Sequence, residues 1–152
     1  MRIHRLLRLC LVVIVGTLLV SACSSAAPAQ PTGRPKMAMG DMPDFVQNAP
    51  LTVQEAYQFA VTNPHALETV PCYCGCGNMG HKSNLNCYIK DTSADGKIIF
   101  DNHAAYCGVC VDITKDVKRL QQQGKSPREI RAYVDAQYSS FGPSTNTVMP
   151  VD

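Results

Sequence analysis

Six cysteines and two histidines fall between positions 72 and 110. Cys72, Cys74 and Cys76 alternate with single residues in the stretch from Pro71 to Gly77, and His81 and Cys87 follow. His103 then precedes the pair Cys107-Gly-Val-Cys110. Thiolates and imidazoles are the usual ligands of zinc, and thiolates also select soft ions such as Cu(I). Cys107 and Cys110, with two residues between them at a helix start, can reach one ion, and a helix N-terminus favours thiolate over thiol. Cys72, Cys74, Cys76, His81, Cys87, His103, Cys107 and Cys110 are therefore the candidate metal ligands. They suffice for two four-coordinate sites, or for one site with ligands to spare. The cofactor expected is Zn2+ or Cu+, and the spacing does not choose between them. Met79 lies inside the cluster, and Met37, Met39 and Met42 lie before it; those three read as linker residues.

Two other chemistries compete. Outside the cytoplasm, six cysteines could form a disulfide framework. Alternating cysteines do not easily bond one another, however, and disulfides leave both histidines unexplained. Cys107 and Cys110 could instead be a redox pair of a thiol–disulfide oxidoreductase, although no thioredoxin-like βαβ pattern precedes them. Hydrolysis has no support: there is no nucleophile elbow or phosphate loop, and Asp112, Asp116 and Asp135 read as solvated helix faces. No catalytic residue is assigned, and a binding protein is favoured over an enzyme.

The elements that must position the cluster are short. Thr52 and Glu55 have capping-box spacing, which predicts a helix over Val53 to Thr62, stopped at Asn63-Pro64. His65 reads as a surface residue. Gly75, Gly77 and Gly80 make the Cys72–Asn86 stretch a loop. Cys87–Lys90 and Lys97–Phe100, on either side of Asp95-Gly96, leave room for a short β-hairpin. Val109, Ile113, Val117 and Leu120 share one helical face ending near Gly124. Ser126-Pro-Arg-Glu129 starts another helix with a capping box and Pro at its first position, and Ile130, Tyr133, Val134 and Tyr138 line its face. The expected fold is mainly α: a small helical domain with a Cys/His-rich loop. So thin a core, without tryptophan, calls for a cross-link or a metal.

The chain of 152 residues opens with Arg2, Arg5 and Arg8. An apolar run from Leu9 to Val20 follows, too short for a transmembrane helix of about 20 residues. Then comes Val20-Ser-Ala-Cys23. This is a secretory signal pattern ending in a sequence that resembles a bacterial lipobox. The resemblance implies cleavage before Cys23 and a lipid (palmitate) on that residue; ordinary secretion with a free Cys23 is the less favoured reading. Removing residues 1–22 takes three of the fourteen basic residues and leaves eleven against twelve acidic ones. The mature chain has no basic patch for nucleic acid. Residues 23–50, biased toward Ala, Pro, Gly, Ser and Met up to about Asp44, are expected as a flexible tether. Residues 51–140 form the Cys/His-rich domain, and residues 141–152 are expected as a disordered tail.

Pro71-Cys-Tyr-Cys-Gly-Cys76, Gly80-His-Lys-Ser-Asn84, Cys87 and Cys107-Gly-Val-Cys110 together resemble the bacterial PCYCGC-motif lipoprotein family, whose function is uncharacterised. The likeness runs from about Leu51 to Tyr138. It implies a lipoprotein at the outer face of the cell membrane and carries no activity. Cys107–Tyr138 is also similar in layout to the periplasmic thiol-reductase subunit of cytochrome c maturation, through common capping chemistry. Three functions are thus carried forward. The first is metal holding or delivery, with a metal-donor or metal-acceptor protein as partner. The second is thiol–disulfide exchange at Cys107 and Cys110. The third is a disulfide-stapled binding module.

Overall fold

A computed structural model describes residues 36–151. The signal, the lipobox and Cys23 lie outside the described residues. Among those described, no helix is long and apolar enough to cross a membrane.

The domain is mainly α, as the periodicity predicts. Among the described residues there are five α-helices: α1 (Asp44–Gln47), α2 (Leu51–Thr62), α3 (Pro64–Glu68), α4 (Gly108–Gln122) and α5 (Pro127–Tyr138). Between α3 and α4 lie β1 (Ile89–Thr92) and β2 (Ile98–Phe100), an antiparallel pair joined through Asp95-Gly96. Ile89 faces Phe100 and Thr92 faces Ile98, with a register irregularity between Ile89 and Asp91. Three single 3-10 turns, Cys76–Met79, Asn84–Cys87 and His103–Tyr106, sit in the connections that carry the cysteines and histidines.

Helix α2 is apolar on most of its circumference. Val53, Ala56, Tyr57, Phe59, Ala60 and Val61 are all buried, so it is the central helix and packs on α4. Its start differs from the capping-box expectation. Pro50 occupies the N-cap without a side-chain bond, and Thr52 lies within the first turn. The chain arrives from α1 in a fixed direction, because the Gln54 carboxamide donates to the Gln47 and Ala49 carbonyls at 2.9 Å each. That local bracing makes a Thr cap unnecessary. The second capping box does form: the Ser126 hydroxyl accepts from Glu129 N, and Glu129 accepts from Ser126 N.

Helix α4 buries Ile113, Val117 and Leu120 as its spacing predicts, with Val111 and Cys110 beside them. Gly124, at φ +74°, ends it, a left-handed position suited to glycine. Ile130, Val134 and Tyr138 bury the inner face of α5. Two aspartates read as solvated have structural partners. Asp116 accepts from the Tyr138 hydroxyl at 2.8 Å, and Asp135 accepts from the Tyr73 hydroxyl at 2.7 Å. His65 is exposed, against Glu68.

The segments on either side of the domain take part in it. Met42 and Val46, within the expected tether, belong to the hydrophobic core. Residues 143–151 have no helix or strand, but Thr145 is buried. Arg131 holds this segment: its guanidinium donates to the carbonyls of Thr69, Thr147 and Val148 at 3.3–3.5 Å and pairs with Asp135 at 2.9 Å.

Candidate metal centre

The cluster is assembled by four stretches of backbone. The loop entering at Pro71 carries Cys72, Cys74 and Cys76. Gly75, at φ +84°, turns the chain left-handed, a conformation costly for a residue with a Cβ. That turn separates Cys74 from Cys76 and sends them to different partners. The 3-10 turn Asn84–Cys87 delivers Cys87, and the turn His103–Tyr106 delivers His103. The N-terminus of α4 supplies Cys107 as its N-cap and Cys110 one turn on.

Buried polar groups lock this scaffold. The Cys110 carbonyl accepts from the Tyr88 hydroxyl at 2.9 Å and from the Asn84 carboxamide at 3.3 Å. Thr114 Oγ1 lies 2.7 Å from both Asn84 Oδ1 and the Tyr88 hydroxyl. The tail clamps Cys72 in both directions: Cys72 N donates to Thr145 Oγ1 at 2.9 Å, and Thr145 N donates to the Cys72 carbonyl at 3.0 Å. Gly142 permits the approach. A Cβ there would stand 2.8 Å from the Tyr73 carbonyl oxygen.

The donors converge in two adjoining groups. Cys74, His103, Cys107 and Cys110 each present one ligand atom, all within 4.8 Å of one another. Cys74 Sγ is 3.2 Å from His103 Nε2 and 3.6 Å from Cys110 Sγ. Cys72, Cys76 and Cys87 form a second group under the same limit, with Cys76 Sγ and Cys87 Sγ 3.6 Å apart. Cys72 Sγ lies 3.3 Å from both Cys74 Sγ and Cys110 Sγ, so the groups abut. Seven of the eight candidate ligands fall in these groups. The eighth, His81, stands beside the second, with Nδ1 3.5 Å from Cys87 Sγ. A tetrahedron of sulfur ligands at about 2.3 Å from a metal has edges of roughly 3.8 Å. The observed separations are of that order, so these residues could hold a metal ion.

No disulfide joins the six domain cysteines in this structure. Their proton affinities diverge because so many thiols in one place cannot all ionise unaided. Hydrogen bonding from Cys110, Cys76 and Cys87 holds Cys72 far below the ordinary thiol value. Cys74 is lowered to about 5 by hydrogen bonding with Cys87 and, against the cost of burial, with His103. Their neighbours move the other way. Cys76 and Cys110 are raised chiefly by Cys72, and Cys87 chiefly by Cys110 and Cys72. Burial raises Cys107.

Asp101, just before the turn that carries His103, supports the histidine side of the cluster. Its Oδ1 accepts from the His103 amide at 2.8 Å, and its Oδ2 lies 3.6 Å from His81 Nε2. One carboxylate therefore holds the His103 backbone and faces the His81 imidazole. A carboxylate behind a ligating imidazole is the common way of fixing its orientation. The two rings meet edge to face, centroids 5.4 Å apart. They line an open cavity of about 400 Å³ together with Met79, Asn86 and Lys90. The cysteine side of the cluster is enclosed: Cys72, Cys76, Cys87 and Cys110 are buried. No signal in the sequence points to Asp101 or Thr145 as supports of the cluster.

Comparison with curated proteins gave no match, and comparison with solved structures gave none. A family model does match, over residues 12–150, nearly the whole chain. The chain belongs to the family described as proteins of unknown function with the PCYCGC motif.

Proposed function

We propose that the domain holds a soft or borderline metal ion, zinc or Cu(I), and keeps or delivers it outside the cytoplasm from a lipid anchor at Cys23. The observation that carries this reading is the convergence of Cys74, His103, Cys107 and Cys110 within 4.8 Å. Three thiols and one imidazole form a donor set typical of closed zinc sites. The ion's part is to draw the thiols together as thiolates and tie the loop to α4. Asp101 faces the His81 imidazole and holds the backbone of the turn that carries His103, and the buried Tyr88–Asn84–Thr114 bonds fix the start of α4. Delivery fits the cavity over His81 and His103, through which a donor or acceptor protein would reach the ligands.

The test is to purify the chain carrying Cys23→Ser under reducing conditions, then measure bound metal and free thiols. Stoichiometric zinc or copper, lost in Cys74→Ser, is expected. Six oxidised thiols without metal would contradict the proposal. Reduction of insulin by the metal-free chain, abolished by Cys107→Ala, would point to thiol–disulfide exchange instead.

A further inference from the structure

We infer that the domain binds a second metal ion, held by Cys72, Cys76 and Cys87 with His81 as the fourth ligand, directly beside the first; this rests on the metal-binding reading above. The Cys74/His103/Cys107/Cys110 group already supplies four donors, a complete set for one tetrahedral ion. Cys72, Cys76 and Cys87 are thus surplus to it, and they converge on one another within 4.8 Å.

Three buried cysteines can serve simply as small apolar core residues. Two features argue for ligation instead. First, an imidazole nitrogen faces this group, His81 Nδ1 at 3.5 Å from Cys87 Sγ. Its other nitrogen faces the Asp101 carboxylate at 3.6 Å, the arrangement that directs a histidine onto a metal. Second, the backbone is specialised to bring the thiols together. Left-handed Gly75 sets up the turn bearing Cys76, and Thr145 holds Cys72 by two hydrogen bonds. The alternating cysteines thereby divide their work: Cys74 serves the first ion, Cys72 and Cys76 the second. With Cys72 Sγ 3.3 Å from two ligands of the first ion, the two ions are immediate neighbours. The donor set suits the same soft or borderline class as the first site.

NMR of the full chain loaded with an NMR-active cadmium isotope under reducing conditions tests this. Two bound cadmium ions and two resonances in the thiolate-rich range are expected. Cys87→Ser should remove one resonance and keep the other. Cys107→Ser should do the reverse, and each variant serves as the folding control for the other. A single ion at saturation, with its resonance lost in Cys107→Ser and kept in Cys87→Ser, would overturn the second site while leaving the first. No bound cadmium at all would overturn both. Acid-labile sulfide accompanying iron would replace both ions with an iron–sulfur cluster and equally overturn the inference.

Discussion

At the residue scale, Asp101 carries more of the site than its position suggests. It accepts from the His103 backbone amide and faces the His81 imidazole, so its effect should be on ligand orientation. Loss of an outer carboxylate partner typically weakens metal binding by about 10- to 100-fold. Asp101→Asn should therefore lower zinc affinity in that range, measured by competition with a chromophoric chelator, while the number of bound ions stays the same. Tyr88 plays a different part. Its hydroxyl bonds the Cys110 carbonyl inside the core, and Tyr88→Phe should cost about 1 kcal/mol in chemical denaturation of the metal-free domain. Unchanged stability in that variant would mean the Asn84 bond alone suffices to hold the start of α4.

At the element scale, the tail and α5 act together as a strap across the cysteine loop. Arg131 reaches the carbonyls of Thr69, Thr147 and Val148, and Thr145 bonds Cys72. Thr145→Val would leave the buried Cys72 amide without its partner, a loss of about 1–3 kcal/mol. Thr145→Ser keeps the hydroxyl and should recover most of it; equal destabilisation in both variants would place the effect in packing. The helices were legible in the sequence because their apolar spacing repeats: Ile113, Val117 and Leu120 of α4, and Ile130, Val134 and Tyr138 of α5. The eight candidate ligands were legible from residue type and spacing alone. The tail's role was not. Residues 143–151 have no periodicity, and Thr145 is separated from Cys72 by most of the domain. The cap of α2 misled for a related reason. Thr52 and Glu55 have the correct spacing, but the Gln54 bonds to Gln47 and Ala49 come from packing that a local motif does not record. The partition of Cys72, Cys74 and Cys76 between two groups depends on left-handed Gly75, which the sequence shows only as a glycine.

At the scale of the whole molecule, metal and fold are linked. Four thiols, Cys76, Cys87, Cys107 and Cys110, are held above their ordinary proton affinity. Burial and the neighbouring thiols favour their protonated form, and ligation must displace those protons. Metal binding should therefore release protons and strengthen as pH rises from 6 to 8, about the neutral range in which thiols compete with protons for the ion. Affinity independent of pH in titration calorimetry across several buffers would contradict this. A ligand that binds only the folded state stabilises it by about 2.7 kcal/mol at 100 times its Kd, so a chelator should lower the thermal midpoint of the loaded domain. The central claim is that sulfur and imidazole converge on the metal, and X-ray absorption at the edge of the bound metal tests it most directly. The account predicts a first shell dominated by sulfur at about 2.3 Å with nitrogen at about 2.0–2.1 Å. A shell of oxygen or nitrogen without sulfur would contradict it.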